Sequence, residues 1–171
     1  VVFGSGNADA DLMFVGEAPG AEEDRQGIPF VGRSGELLTA MLAEVGIARE
    51  DVFIANTLKC RPPDNRDPLP SEIETCSPWL ADQIRLIQPQ VVATLGNFAT
   101  KLLREDPTGI TKVHGAPSTR TFGDRKVTLF PLFHPAAALR SRSVSDLMRR
   151  DIATLARMLG EDRAGGRGLD E

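Results

Sequence analysis

At 171 residues, with 41% apolar and 26% charged side chains, the chain has the make-up of an ordinary soluble globular protein, long enough for one full core and short for two domains. No apolar run approaches the roughly 20 residues of a membrane span, and no signal peptide opens the chain, so a membrane partner is not expected and the cytoplasm is the default location. The net charge of −4 is unevenly spread, ten acids against three bases over residues 1–55 and seventeen bases against fourteen acids thereafter, and two cysteines cannot make a disulfide framework.

In chain order, Val1-Val2-Phe3 reads as a strand already under way, so the chain is expected to continue upstream of Val1. Short runs rich in Val, Ile and Phe, bounded by Gly, Pro, Asn or Asp, predict buried strands over Asp11–Val15, Val52–Asn56, Val91–Leu95 and Val127–Phe133. Between them, Glu36–Val45 sets Leu37, Leu38, Met41, Leu42 and Val45 on one helical face and stops at Gly46. A longer helix is expected from Ser71, capped reciprocally with Glu74. Its apolar face is Ile73, Cys76, Leu80, Ile84 and Ile87, with a disturbance at Pro78. Further helices are expected over Asn97–Arg104 and Ser145–Leu159. Strands alternating with helices imply a three-layer α/β/α sandwich around a central, mostly parallel four-stranded sheet. One domain over residues 1–160 and a Gly-rich, charged, disordered tail over 161–171 complete the expectation.

Ligands of such sheets bind beyond the C-terminal ends of the strands, and three of those ends carry polar or turn-forming residues. The first strand runs into Gly16-Glu17-Ala18-Pro19-Gly20, whose small residues let a ligand approach the backbone, with the Glu17 carboxylate at the mouth. It is neither a P-loop nor a dinucleotide loop, and a plain turn with a surface glutamate explains it equally well. Phe30, in Gly27-Ile28-Pro29-Phe30-Val31-Gly32, is either a core ring pinning its loop or a face for a planar ligand. Asn56 ends the second strand, where an amide can both donate and accept toward a base edge, although capping is the commoner role. His134-Pro135 ends the fourth strand in a stiff turn suited to donating toward a leaving group. Ala138-Leu139-Arg140 beyond it reads either as a wedge beside a phosphate contact or as part of a helix. Cys60 and Cys76, fifteen residues apart, are ordinary thiols unless two further metal ligands join them.

Taken together, Gly16-Glu17-Ala18-Pro19-Gly20, Pro29-Phe30-Val31-Gly32, Lys59-Cys60-Arg61-Pro62-Pro63 and His134-Pro135-Ala136 resemble the family 4 uracil-DNA glycosylases, the iron–sulfur branch of that superfamily, from Phe3 to about Leu159. The resemblance implies hydrolysis of the N-glycosidic bond of uracil in DNA. Gly16, Glu17 and Ala18 would line the uracil pocket, Phe30 would stack on the base, and Asn56 would read its edge. His134 would stabilise the departing uracil oxygen, and the Leu139-Arg140 loop would fill the gap left by the flipped nucleotide. Glu17 is the nearest carboxylate for activating water and Glu23 a weaker candidate, because Ala18 occupies the position of the catalytic aspartate of better-known relatives. Cys60 and Cys76 match one pair of ligands of a 4Fe–4S cluster, whose other pair would lie upstream of Val1. The expected partner is uracil-containing DNA, met by a monomer. The competing readings are a uracil-DNA crosslinking relative, disfavoured by Glu17, a DNA- or nucleotide-binding module without catalysis, and an electron-transfer iron–sulfur protein.

Overall fold

Six strands make the central sheet: β1 (Ser5–Gly6), β2 (Leu12–Gly16), β3 (Phe53–Asn56), β4 (Val91–Leu95), β5 (Ser118–Phe122) and β6 (Arg125–Leu132), in the order β1-β3-β2-β4-β6-β5. The computed structural model describes residues 1–165. The four inner strands are mutually parallel and are the four expected from the sequence, while β1 and β5 pair antiparallel at the two edges. The expected four-stranded sheet is thus corrected to six. Both additions lack the signal that betrays a strand: β1 is two residues long, and Ser-Thr-Arg-Thr-Phe of β5 is polar and half-exposed.

The inner strands are buried on both faces, which is why they read as unbroken apolar runs. Leu12, Phe14, Ile54, Ala93, Phe130 and Leu132 point to one side, against α2 (Arg33–Glu44), α6 (Pro135–Arg140) and α7 (Arg142–Gly165). Met13, Val15, Val92 and Leu129 point to the other, against α3 (Pro70–Ile87) and α4 (Gly96–Arg104). Two short helices, α1 (Ala21–Gln26) and α5 (Ile110–Val113), sit in the connections. Phe14 and Phe130 are fully buried, and burying a side chain of that size contributes about 1.5–3 kcal/mol, so the sheet is a firm platform for whatever its rim carries.

Local chemistry fixes the helix ends. Gly46 adopts φ +78° and closes α2: its N–H donates to Ala43 O (3.1 Å) and the Ile47 N–H to Leu42 O (2.9 Å), the paired bonds of a Schellman stop. The start of α3 differs from expectation. Pro70 takes the first helical position, and the Leu69 N–H donates to Glu72 Oε1 (2.8 Å), so Glu72 rather than Glu74 is the reciprocal cap and Ser71 is already inside. The helix continues through Pro78, and its buried side is Leu80, Gln83, Ile84 and Ile87, with Ile73 and Cys76 only half-buried. At the other end of the chain α7 runs to Gly165, past the expected domain end at residue 160, and the rest of the tail lies outside the described residues. No helix among the described residues is long and apolar enough to cross a membrane.

Candidate active site

Because the inner strands are parallel, their C-terminal ends share one rim. Gly16 closes β2, Asn56 closes β3, Gly96 directly follows β4, and His134 lies two residues beyond β6. Between β2 and β4 the strand order reverses, which opens a crevice at this rim. Backbone bonds lace the segments leaving β2 and β3: the Thr57 N–H donates to Gly16 O (2.9 Å) and the Leu58 N–H to Glu17 O (3.0 Å), with the Thr57 hydroxyl also on Gly16 O (3.1 Å).

Gly16 must be a glycine. A Cβ there would lie 2.5 Å from Asn56 Oδ1 and 2.9 Å from the Phe30 ring, so the backbone of β2 passes directly against both side chains. Asn56 is 2% exposed, and its Oδ1 is buried without a hydrogen-bond partner. An unpaired buried acceptor costs roughly 1–3 kcal/mol, a penalty that a ligand N–H can remove. The Phe30 ring, 6% exposed, lies 5.7 Å from the His134 ring at 34°. The fold thus brings together Gly16, Phe30, Asn56 and His134, four of the residues singled out in the sequence.

His134 is the N-cap of α6. Its Nδ1 accepts the Ala136 N–H (3.0 Å), so the ring carries its proton on Nε2, the nitrogen free to donate. Burial pushes its pKa below the ordinary histidine value, and the nearby Arg140 guanidinium adds to the effect. A neutral imidazole with a fixed tautomer results. Gly96, at φ +87°, lets β4 run close to this side chain, since a Cβ there would lie 3.1 Å from His134 Cβ.

Glu17 and His134 together line two adjoining cavities. One, about 150 Å³, is completed by Ala18, Pro19, Gly20, Pro62, Asn65 and Arg66. The other, about 540 Å³, is completed by Asp67, Leu95, Gly96, Asn97, Phe98 and Lys101. Burial, reinforced by the Asp67 carboxylate, holds the Glu17 pKa above the ordinary glutamate value. Glu23 lines neither cavity; its carboxylate lies over Gly20 in the first turn of α1. Leu139 (41% exposed) and Arg140 stand at the C-terminal end of α6, the helical alternative left open by the sequence rather than the loop that the resemblance implies, because Pro135 at its first position and His134 as its cap start a turn at once. Asp67 and Gly96 went unnoticed in the sequence, although Gly96 follows its strand as Gly16 closes β2.

The two thiols share a cavity elsewhere. Cys60 and Cys76 line a separate cavity of about 240 Å³ with Leu58, Ser71, Glu72 and Thr75. Beside it, Lys59 is 4% exposed and donates through Nζ to Asn56 O (2.8 Å) and Gln83 Oε1 (2.6 Å). Burial lowers its pKa to about 8, with Cys76 pulling the other way. No group of three or more His, Cys, Asp or Glu side chains that could hold a metal occurs among the described residues. The second histidine, His114, is tied to Asp151 (Nδ1 to Oδ2, 2.7 Å) and packs on Phe133, away from both cavities.

Comparison with known proteins identifies the family. The model of the uracil DNA glycosylase superfamily matches residues 3–156. The chain is 50% identical over 144 residues to the type-4 uracil-DNA glycosylase of Thermotoga maritima, covering 84% of this chain and 73% of the relative. It is 45% identical over 153 residues to the type-4 uracil-DNA glycosylase of Sulfurisphaera tokodaii (86% and 70%) and 42% identical over 162 residues to that of Archaeoglobus fulgidus (92% and 81%). A type-5 uracil-DNA glycosylase of Pyrobaculum aerophilum is more distant, at 28% over 175 aligned positions. With a family model that spans residues 3–156 and relatives 42–50% identical over most of its length, the chain belongs to the uracil-DNA glycosylase superfamily.

Proposed function

We propose that the chain is a DNA-repair hydrolase that flips uracil out of DNA and cleaves its N-glycosidic bond, leaving an abasic site. The observation that carries the reading is the unpaired Oδ1 of Asn56, buried against the Phe30 ring. Uracil presents an N–H at N3, which that oxygen accepts; cytosine presents a lone pair there, which leaves the oxygen unpaired and opposed. A site built on such a bond rejects the wrong base strongly. Extrusion of the nucleotide costs roughly a few kcal/mol, and stacking on Phe30 offsets about 1–3 kcal/mol of it.

As the glycosidic bond breaks, its electron pair goes to the base, which departs as an anion with charge on its ring oxygens, while the sugar becomes oxocarbenium-like. His134 donates from Nε2 to the oxygen gaining charge, and a neutral donor suits this because it does not surrender its proton to an already acidic leaving group. Water completes the abasic sugar after losing a proton. Glu17, on the wall shared by both cavities, is the carboxylate placed to take it, and the environment that raises its pKa makes it a better base than an exposed glutamate. Ala18 and Gly16 shape the pocket wall. Arg66, Lys101 and Arg140 lie around the rim where phosphates would pass.

The reading extends to a cluster. Cys60 and Cys76 face one cavity, as two thiolate ligands of a 4Fe–4S cluster must, but four thiolates are needed and the 171 residues contain two. The reading is of a monomer that acts in the cytoplasm, with every group in the proposed chemistry supplied by one chain. The test is incubation with a uracil-containing single strand. Release of free uracil supports the glycosylase, a covalent adduct would make it a crosslinker, and binding without release would make it a module.

A further inference from the structure

Phe30 adopts φ +52°, in the left-handed region that a non-glycine residue occupies only when its surroundings hold it there. Two features hold it. At Gly35, in the first turn of α2, a Cβ would collide with Phe30 O, so its absence lets that carbonyl dock against the helix. From the other side comes Arg49, nineteen residues away in sequence, in a single 3₁₀ turn (Arg49–Asp51) before β3. Its Nη1 donates to Phe30 O (2.6 Å) and its Nη2 to Pro29 O. Nη1 also reaches Thr39 Oγ1 (3.3 Å), whose hydroxyl donates to Gly35 O (3.0 Å), so the guanidinium joins the Phe30 loop to α2.

A half-buried guanidinium ordinarily has a carboxylate beside it. Arg49 has none among the described residues, and burial lowers its pKa. What it has instead is two successive backbone carbonyls, matched by the planar fork that distinguishes Arg from Lys. It lines neither cavity at the rim. A charge kept in so unfavourable a place bonds the carbonyls of one aromatic residue and its neighbour, the backbone from which that ring projects.

We propose that Arg49 is a positioning residue for uracil excision: its two-pronged contact with the Pro29 and Phe30 carbonyls holds the Phe30 ring where the flipped base stacks. This rests on the reading of Phe30 as the stacking face, and the test separates the two. Four proteins, Arg49→Met, Arg49→Lys, Phe30→Ala and the Arg49→Met/Phe30→Ala double variant, are compared in single-turnover cleavage of a uracil oligonucleotide. Affinity is measured for the same oligonucleotide carrying thymine. Arg49→Met and Phe30→Ala are each expected to slow cleavage about 10-fold or more while thymine-strand affinity stays within about two-fold. Arg49→Lys, with one donor head for two carbonyls, is expected to fall between Arg49→Met and wild type.

The decisive comparison is the double variant, which is expected to be no slower than Phe30→Ala alone, because Arg49 acts through the ring. Losses that multiply, or an Arg49→Met protein at the wild-type rate, would overturn the assignment of Arg49 alone. A folded Phe30→Ala protein at the wild-type rate would overturn the stacking reading itself. Should Arg49→Met melt below the assay temperature, the same cycle is run with Arg49→Lys, whose loss must likewise vanish in the Phe30→Ala background.

Discussion

His134 carries two tasks in one side chain, and substitution can separate them. Nδ1 caps α6 by accepting the Ala136 N–H at 3.0 Å, which leaves the proton on Nε2 of a side chain that lines both cavities. His134→Ala removes both. Loss of an N-cap costs about 0.5–2 kcal/mol, which in a chain of this length lowers the melting temperature by roughly 2–4 °C per kcal/mol. Loss of one donor to a developing oxyanion slows the chemical step about 10²–10³-fold. His134→Asn keeps a good capping acceptor but is too short to present a donor at the position of Nε2. The expectation is therefore a split: His134→Asn melts close to wild type, and His134→Ala lower, yet both cleave about 10²–10³-fold more slowly under single turnover. Binding to an undamaged strand changes little in either. An Asn variant that regains the rate together with the stability would refute the reasoning, since the histidine would then matter only as the cap of its helix.

Other substitutions probe the rest of the rim. Asn56→Asp places a carboxyl where the unpaired Oδ1 lies; protonated at its buried position, it can donate to cytosine N3, so cleavage of cytosine strands should rise relative to uracil, and unchanged base preference in competition assays would count against edge reading. Gly16→Ala forces a methyl 2.5 Å from Asn56 Oδ1 and 2.9 Å from Phe30, and should slow cleavage at least about 10-fold with a smaller effect on strand binding. For Glu17 the sign follows from its raised pKa. The folded protein binds that proton more tightly than the unfolded chain, so the associated stability is present at low pH and lost as pH rises through the folded value. Glu17→Gln should accordingly melt higher than wild type at neutral pH while cleaving more slowly. The acid limb of its rate profile should follow His134 alone, titrating below the ordinary histidine value. Equal melting temperatures at pH 7 would argue that the carboxylate is not strained by its site.

The inner strands were legible because burial on both faces writes itself as apolar runs, and Asn56 and His134 stood out because polar residues end those runs. The edges were not: β5 alternates polar residues that pack on little, and β1 is too short for any pattern. At the start of α3 the Ser71/Glu74 spacing imitated a capping box, but Pro70, whose fixed φ suits the first helical position, sets the start one residue earlier and hands the role to Glu72. Arg49 left no trace at all. Its partners are backbone carbonyls nineteen and twenty residues away, and a carbonyl has no letter in the sequence.

The rim has a consequence for folding. Gly16, Asn56, Gly96 and His134 are spaced roughly forty residues apart, each delivered by a different parallel strand, and parallel neighbours can pair only after a long crossover has closed. No fragment holding fewer than all four inner strands contains a complete site. Catalytic competence is thus a late event in folding, and enzymatic activity during refolding or denaturation tracks completion of the whole sheet rather than any local element. Partly folded chains, which still expose basic side chains to DNA, are unable to release a base from it.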